Sequence, residues 1–252
     1  MKVQMKFAVA VVAVAAALGL ALAQAHLDDI DAFDDLDNLD NLDSIATSHR
    51  FRRATPPTHC KGSQKYKVIL DYNWSARTHP VDYPQNAVFS PTVLASHNEY
   101  YNMWAPGSFA SPGLQTVAET GAPADLVAEI KASRNAYKYA AAPAPTEDGT
   151  TRVTLFVTAR GLAKQSYLSA ASMLFPSPDW FTGFYNVNMC DERTGRWRRR
   201  SSGKLIGWDA GTDSGKTFLS ADEATRPRAV IEALSGFPTR GTPFGRYYIV
   251  KA

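Results

Sequence analysis

Tyr66-Lys67-Val68-Ile69-Leu70-Asp71-Tyr72-Asn73-Trp74 is the stretch on which the fold turns. Its large apolar and aromatic side chains recur with period two, the spacing of a β-strand that buries one face. Further runs, alternating or continuously apolar and bounded by Pro, Gly, Asn or Asp, follow at residues 152–158, 167–174, 181–189, 197–206 and 247–251. Long helices do not alternate regularly with them, so they predict an all-β fold, an antiparallel β-sandwich, over a doubly wound parallel sheet. A few short helices are expected in the connections. One takes Ser111 as N-cap, has Pro112 in its first turn and stops at Gly121; a second begins near Pro123 and carries Leu126, Val127 and Ile130 on one face. The Ala- and Pro-rich residues 140–148 read as an exposed loop.

Working outward to the N-terminus, Lys2 and Lys6 precede an apolar run over residues 7–23 that ends in Ala23-Gln24-Ala25. The run is shorter than the roughly 20 residues a membrane span needs and meets a small-residue cleavage site, so residues 1–25 read as a secretory signal peptide. Residues 26–49 hold eight aspartates and neither Lys nor Arg, with too few large apolar groups to bury, and are expected to be disordered. Arg50-Phe51-Arg52-Arg53 resembles the recognition site of furin-like processing proteases, which makes 26–53 a propeptide; an uncleaved acidic tail is the other reading. Residues 1–53 carry five of the 27 basic and eight of the 24 acidic side chains, leaving 22 against 16 in residues 54–252. The remaining domain is basic, and the acidic leader would mask that surface until cleavage. At 199 residues it is large enough for one continuous core. Cys60 and Cys190 are the only cysteines and are expected to pair in an oxidising compartment.

The chemistry concentrates in two strings, Pro176-Ser177-Pro178-Asp179-Trp180-Phe181 and Asp209-Ala210-Gly211-Thr212-Asp213-Ser214-Gly215. Prolines fix the backbone before Asp179, and Gly211 and Gly215 let the chain bend so that Asp209 and Asp213 can converge. Three carboxylates brought together repel unless a cation or basic side chains offset them. Calcium suits such a set, because it takes about six to eight oxygen ligands in irregular geometry, whereas zinc favours His or Cys. Two other readings stay open here: aspartates that only cap backbone amides in Asx turns, and a hydrolase using Asp179 and Asp213 as acid and base.

These two strings, with Trp74-Ser75 followed by His79-Pro80, Phe89-Ser90-Pro91, Ser96-His97-Asn98 and Ala118-Glu119-Thr120-Gly121, resemble in order and spacing the spondin domain of the F-spondin and mindin type over about residues 60–251. The resemblance implies a calcium-binding β-sandwich of extracellular matrix proteins acting in adhesion and recognition. It places calcium ligands at Asp179, Asp209 and Asp213 and a disulfide between Cys60 and Cys190. The expected function is that of a secreted, non-enzymatic, calcium-dependent recognition or adhesion module of the matrix or cell surface. Its partner would be an extracellular protein or glycan, cell-surface receptors included, with no nucleic acid and no membrane insertion. The family also suggests an alternative, an innate-immune type binder of microbial carbohydrate or lipopolysaccharide.

Arg193, Arg196, Arg198, Arg199, Arg200 and Lys204, with Trp197 among them, form the densest basic stretch. Within it Arg196, Arg198, Arg199 and Arg200 are a candidate patch for anionic ligands such as sulfated glycans; an edge strand protected by its charges is the plainer alternative. Asn73-Trp74-Ser75 is a formal glycosylation sequon, but Trp74 as a core residue is expected to confine Asn73. His79 and His97 are expected to hold loops through hydrogen bonds, and the five histidines form no zinc triad.

Overall fold

The computed structural model describes residues 59–143 and 149–252. In chain order the strands are β1 (Ser63–Tyr72), β2 (Val88–Phe89), β3 (Val93–His97), β4 (Ala136–Ala141), β5 (Arg152–Arg160), β6 (Tyr167–Phe175) and β7 (Trp180–Asn188). There follow β8 (Cys190–Asp191), β9 (Arg196–Trp197), β10 (Arg200–Lys204), β11 (Gly207–Asp209), β12 (Glu232–Ala233) and β13 (Gly245–Lys251). Helices α1 (Pro112–Thr120) and α2 (Ala124–Ala132) lie in the connection from β3 to β4. One sheet has the order β10-β13-β1-β5; the other runs β12-β11-β7-β6-β3-β4, with β2 on β6. Pairing is antiparallel throughout the described residues.

The alternation in the opening stretch is realised: Tyr66, Val68, Leu70, Tyr72 and Trp74 point into the space between the sheets. There they meet Val153, Leu155 and Val157 of β5 and Leu168, Ala170 and Leu174 of β6. Trp74 is the hub of an aromatic group with Tyr83, Phe89, Phe218 and Phe244. A second core lies on the other face of the larger sheet, where α1 and α2 bring Leu114, Val117, Leu126 and Ile130 against Val93, Ala95 and Phe181. Covering on both faces explains why β3 is buried at all five residues and why β6 reads as a continuous apolar run instead of an alternating one.

The first helix forms as its sequence predicts. The Ser111 hydroxyl accepts the Leu114 N–H at 3.1 Å, and Gly121 closes the helix at φ 72°. Glu129 of α2 clamps that same terminus by accepting the Gly113 N–H and the Ser111 hydroxyl. The Cys60–Cys190 disulfide is present and joins the entry of β1 to β8. Closing a loop of this length restricts the unfolded chain by about 4–5 kcal/mol on the loop-entropy account.

Three expectations are corrected. Residues 197–206 are not one strand: Arg196–Trp197 pair with β8, and Arg200–Lys204 pair with β13. The change of partner occurs at Arg198, whose N–H is taken by the Met189 carbonyl while its own carbonyl accepts the Tyr66 hydroxyl. Residues 140–148 do not begin as a loop, because β4 pairs with β3 through Ala141 and Ala142 is buried; residues 144–148 lie outside those described. Asn73 is exposed, since strand alternation turns Tyr72 and Trp74 inward and Asn73 out. The signal peptide of residues 1–25 and the propeptide of 26–53 also fall outside the described residues.

Candidate functional site

Asp179 immediately precedes β7, and Asp209 ends β11, the strand paired with it. The register sets Asp209 opposite Trp180, so both aspartates arrive at the same end of the larger sheet. The Asp179 carbonyl accepts the Ala210 N–H at 3.2 Å, fixing the loop that follows Asp209. Gly211 then takes φ 74°, and a Cβ there would come within 2.4 Å of the Ala229 carbonyl oxygen, so only glycine fits the turn. The returning chain donates Thr212 N–H (2.7 Å), Asp213 N–H (3.0 Å) and the Thr212 hydroxyl (3.2 Å) to Asp179 Oδ2. Gly215 packs on Pro178, where a Cβ would approach Cγ to 2.4 Å. Thus the two strings form one interlocked loop pair.

Asp213 braces the outer part of this loop. Its Oδ1 accepts the Gly215 N–H and its Oδ2 the Glu223 N–H, at 2.8 and 2.6 Å. Asp209 Oδ1 accepts the Gly211 N–H at 2.7 Å. The reading of these aspartates as caps of backbone amides therefore holds for both oxygens of Asp213 and for one of Asp209.

Asp179 is different. It is wholly buried, and its Oδ1 has no hydrogen-bond partner. Burial, and then the charge of Asp209, push its pKa up to about 6 against the pull of the Thr212 and Asp213 donors. Burial raises Asp209 as well, with further contributions from the charges of Glu232 and Asp213. An orphaned carboxylate oxygen in a dry site, beside the Asp209 carboxylate, is the kind of atom a hard cation would satisfy. Among the described residues, however, no three His, Cys, Asp or Glu side chains are gathered closely enough to hold a metal ion, so Asp179, Asp209 and Asp213 share one loop pair without their carboxylates meeting in a metal shell. A hydrolase working through Asp179 and Asp213 is poorly served, because Asp179 has no surface to offer a substrate.

Glu232 is the residue that the sequence reading missed. It faces Asp209 across β11 and β12, a like-charge pair in register. Asp209, Asp213 and Glu232 line a cleft of about 340 Å³ together with Thr225 and the exposed Phe237. The available signal was the short apolar run around it, Val230-Ile231-Glu232-Ala233-Leu234, which reads as a strand.

The candidate basic patch is exposed at all four positions but divided between elements. Arg196 lies with His59, Lys61, Trp197 and Lys251 around one depression of about 520 Å³. Arg198 and Arg199 occupy the crossover, and Arg200 opens β10. His79 and His97 hold loops as expected: His79 contacts the Thr78 hydroxyl and the Thr242 carbonyl, and His97 the Asn98 carbonyl and the Ser169 hydroxyl.

A family model, Spondin_N, matches residues 64–244, a span that holds all three aspartates and begins just after Cys60. Spondin-1 of Homo sapiens is 34% identical over 191 residues, which cover 73% of this chain and 23% of that protein. Spondin-2 of Homo sapiens is 34% identical over 193 residues, 73% of this chain and 56% of that protein. Spondin-1 of Rattus norvegicus is 32% identical over 188 residues. The chain thus spans about a quarter of the length of Spondin-1 and about half that of Spondin-2.

Proposed function

This chain belongs to the Spondin_N family, and we propose that it works as a calcium-dependent recognition and adhesion domain outside the cell, without catalysis. The observation that carries the reading is Asp179 Oδ1, an unpartnered carboxylate oxygen wholly buried beside Asp209. Leaving such an atom bare is costly, and a bound cation removes the cost. Asp179, Asp209 and Asp213 would hold calcium; the ion would neutralise their charge and leave coordination positions for an acidic group of a partner. Asp179 supplies the fixed base of the site, held by three donors from the loop it organises. Asp209 and Asp213 supply the cleft-facing side, where an extracellular protein or glycan has access.

An extracellular setting accords with the Cys60–Cys190 disulfide, a bond that persists in oxidising compartments. Among the described residues no helix is long and apolar enough to cross a membrane. Titration calorimetry is expected to give a calcium dissociation constant on the order of 0.1–1 mM, the range of extracellular modules. Cell or matrix adhesion to immobilised protein is expected to vanish in chelator and in Asp209→Asn. A protein that gives neither calcium heat nor a calcium-dependent melting shift would overturn the proposal.

A further inference from the structure

The outward face of the four-stranded sheet carries a charge pattern that no single stretch of sequence contains. Register aligns Arg200, Val250, Lys67 and Phe156 directly across β10, β13, β1 and β5. Two residues further along, Ser202, Tyr248, Ile69 and Thr154 form the next row, and Lys204, Arg246, Asp71 and Arg152 the one after. Lys65 completes the face by laying its Nζ 4.9 Å over the Phe156 ring. Asp71 is the one acid in these rows, and Arg152 already holds it through two 3.1 Å hydrogen bonds. Among the described residues, Lys65, Lys67, Arg200, Lys204 and Arg246 have no ion-pair partner. Lys204 and Arg246 stand opposite each other, an arrangement that costs stability unless an anion lies across it. Beyond that row the face runs into a depression of about 520 Å³ whose charged lining is Lys204, Arg246 and Arg77 with the single acid Asp71.

We infer that this face docks a linear sulfated polysaccharide. Lys204 and Arg246 stand about 5 Å apart on neighbouring strands, Lys65 and Lys67 about 7 Å apart along one strand, and Arg200 and Lys67 about 10 Å apart across β13. That lattice suits anions repeated along an extended chain. Arginine presents a planar fork that sulfate oxygens can meet bidentately, and the lysines add point charges. The exposed parts of Phe156 and Val250, with Tyr248 between the charged rows, give apolar ground for the C–H faces of sugar rings. The surface belongs to the opposite sheet from the acidic cleft, so its occupancy needs no calcium.

The test is affinity for heparin oligosaccharides in chelator, repeated in calcium. Lys67→Gln, Arg200→Gln and Arg246→Gln combined should weaken binding about tenfold or more, each exposed charge contributing modestly. A second triple, Arg193→Gln, Arg196→Gln and Arg199→Gln, removes the same charge from the hairpin side and should cost less than about threefold. Melting curves of both triples confirm that the fold is intact. Equal losses from both triples, or none from the first, would mean attraction by net charge alone and would overturn the inference. So would competition by hyaluronan equal to that by heparin, since hyaluronan carries carboxylates without sulfate. Binding to phosphatidylserine vesicles as tight as to heparin, with the same loss in the first triple, would assign the face to a membrane and overturn it too. Loss of calcium binding with heparin affinity intact would sink only the adhesion-site proposal.

Discussion

The acidic cleft and the basic sheet face both set like charges opposite each other across a strand pair, Asp209 against Glu232 and Lys204 against Arg246. What separates them is water. Asp179 is fully buried and Asp209 partly so, and both are forced upward in pKa by desolvation first and neighbouring charge second. The cations of the sheet face stand in solvent, where the field of each decays within a Debye length of about 8 Å at physiological salt. Burial thus makes a few carboxylates into the proposed site for one small ion, while exposure makes many cations into the proposed surface for a long ligand, summing weak attractions along it.

The largest consequence follows from Asp179. A carboxyl with a folded pKa of about 6 against an ordinary 3.8 binds more protons folded than unfolded between those values. Stability therefore falls as pH rises from about 4 to about 6, by up to about 3 kcal/mol, and stays low above that window. In chelator at pH 7.4, Asp179→Asn should be more stable than the native protein by an amount that shrinks to nothing near pH 4. The buried His79 and His97, whose pKa values burial lowers, titrate with opposite sign but are common to both proteins and cancel in the difference. Calcium at about ten times its dissociation constant should narrow the gap at pH 7.4 by about 1.4 kcal/mol. Denaturant unfolding at four pH values measures this, and a variant uniformly less stable in chelator would refute the charge-strain account.

Next in size is the calcium affinity itself. Asp209→Asn removes a cleft-facing charge and should weaken calcium about 30-fold, or about 2 kcal/mol, while heparin affinity stays unchanged. Native protein in calcium at about ten times the dissociation constant should gain about 1.4 kcal/mol, a gain the variant lacks at the same concentration. Parallel calorimetry and melting curves read both. If calcium tightens or loosens heparin, the two regions are coupled and the comparison must be redrawn.

The two regions also differ in how far the sequence discloses them. The aspartates lie in two strings because tight loops at one sheet end need Pro and Gly nearby, and Gly211 and Gly215 each pack where a Cβ would collide. Chemistry and backbone constraint therefore sit together in the chain and can be read together. Glu232 escaped because it reaches Asp209 only through strand pairing. The sheet face was hidden for the same reason more strongly: its cations come from four strands between Lys65 and Arg246, and only register gathers them. The basic stretch that is visible in sequence contributes just Arg200 and Lys204 to the face, because the chain changes partner at Arg198. The sandwich itself was legible from the alternation of residues 66–74, whereas the short β2, β3 and β4 were not, being too short or too rich in alanine to show a period.

Salt separates the regions next. Raising ionic strength to about 1 M shortens the Debye length to about 3 Å and should abolish heparin retention. Calcium held by partly buried carboxylates is screened less, and its binding heat should persist at that salt. Retention on heparin that survives about 1 M salt would point to sugar-ring contacts at Phe156 and Tyr248 as the main attraction.

The smallest effect comes from correcting one like-charge pair. Lys204→Glu places a carboxylate opposite Arg246 on the edge strand β10, turning a repulsive cross-strand pair into an attractive one. Both side chains are exposed, so the gain should be only about 0.2–1 kcal/mol, seen as a slightly higher melting temperature at low salt that fades as salt is added. Heparin affinity should drop severalfold in the same variant, since it loses a cation and gains an anion on the docking surface. Stability and ligand binding then move in opposite directions, as expected where a repulsive pair is kept for its ligand. A variant that is destabilised while heparin binding is untouched would show that Lys204 serves the fold and not the surface.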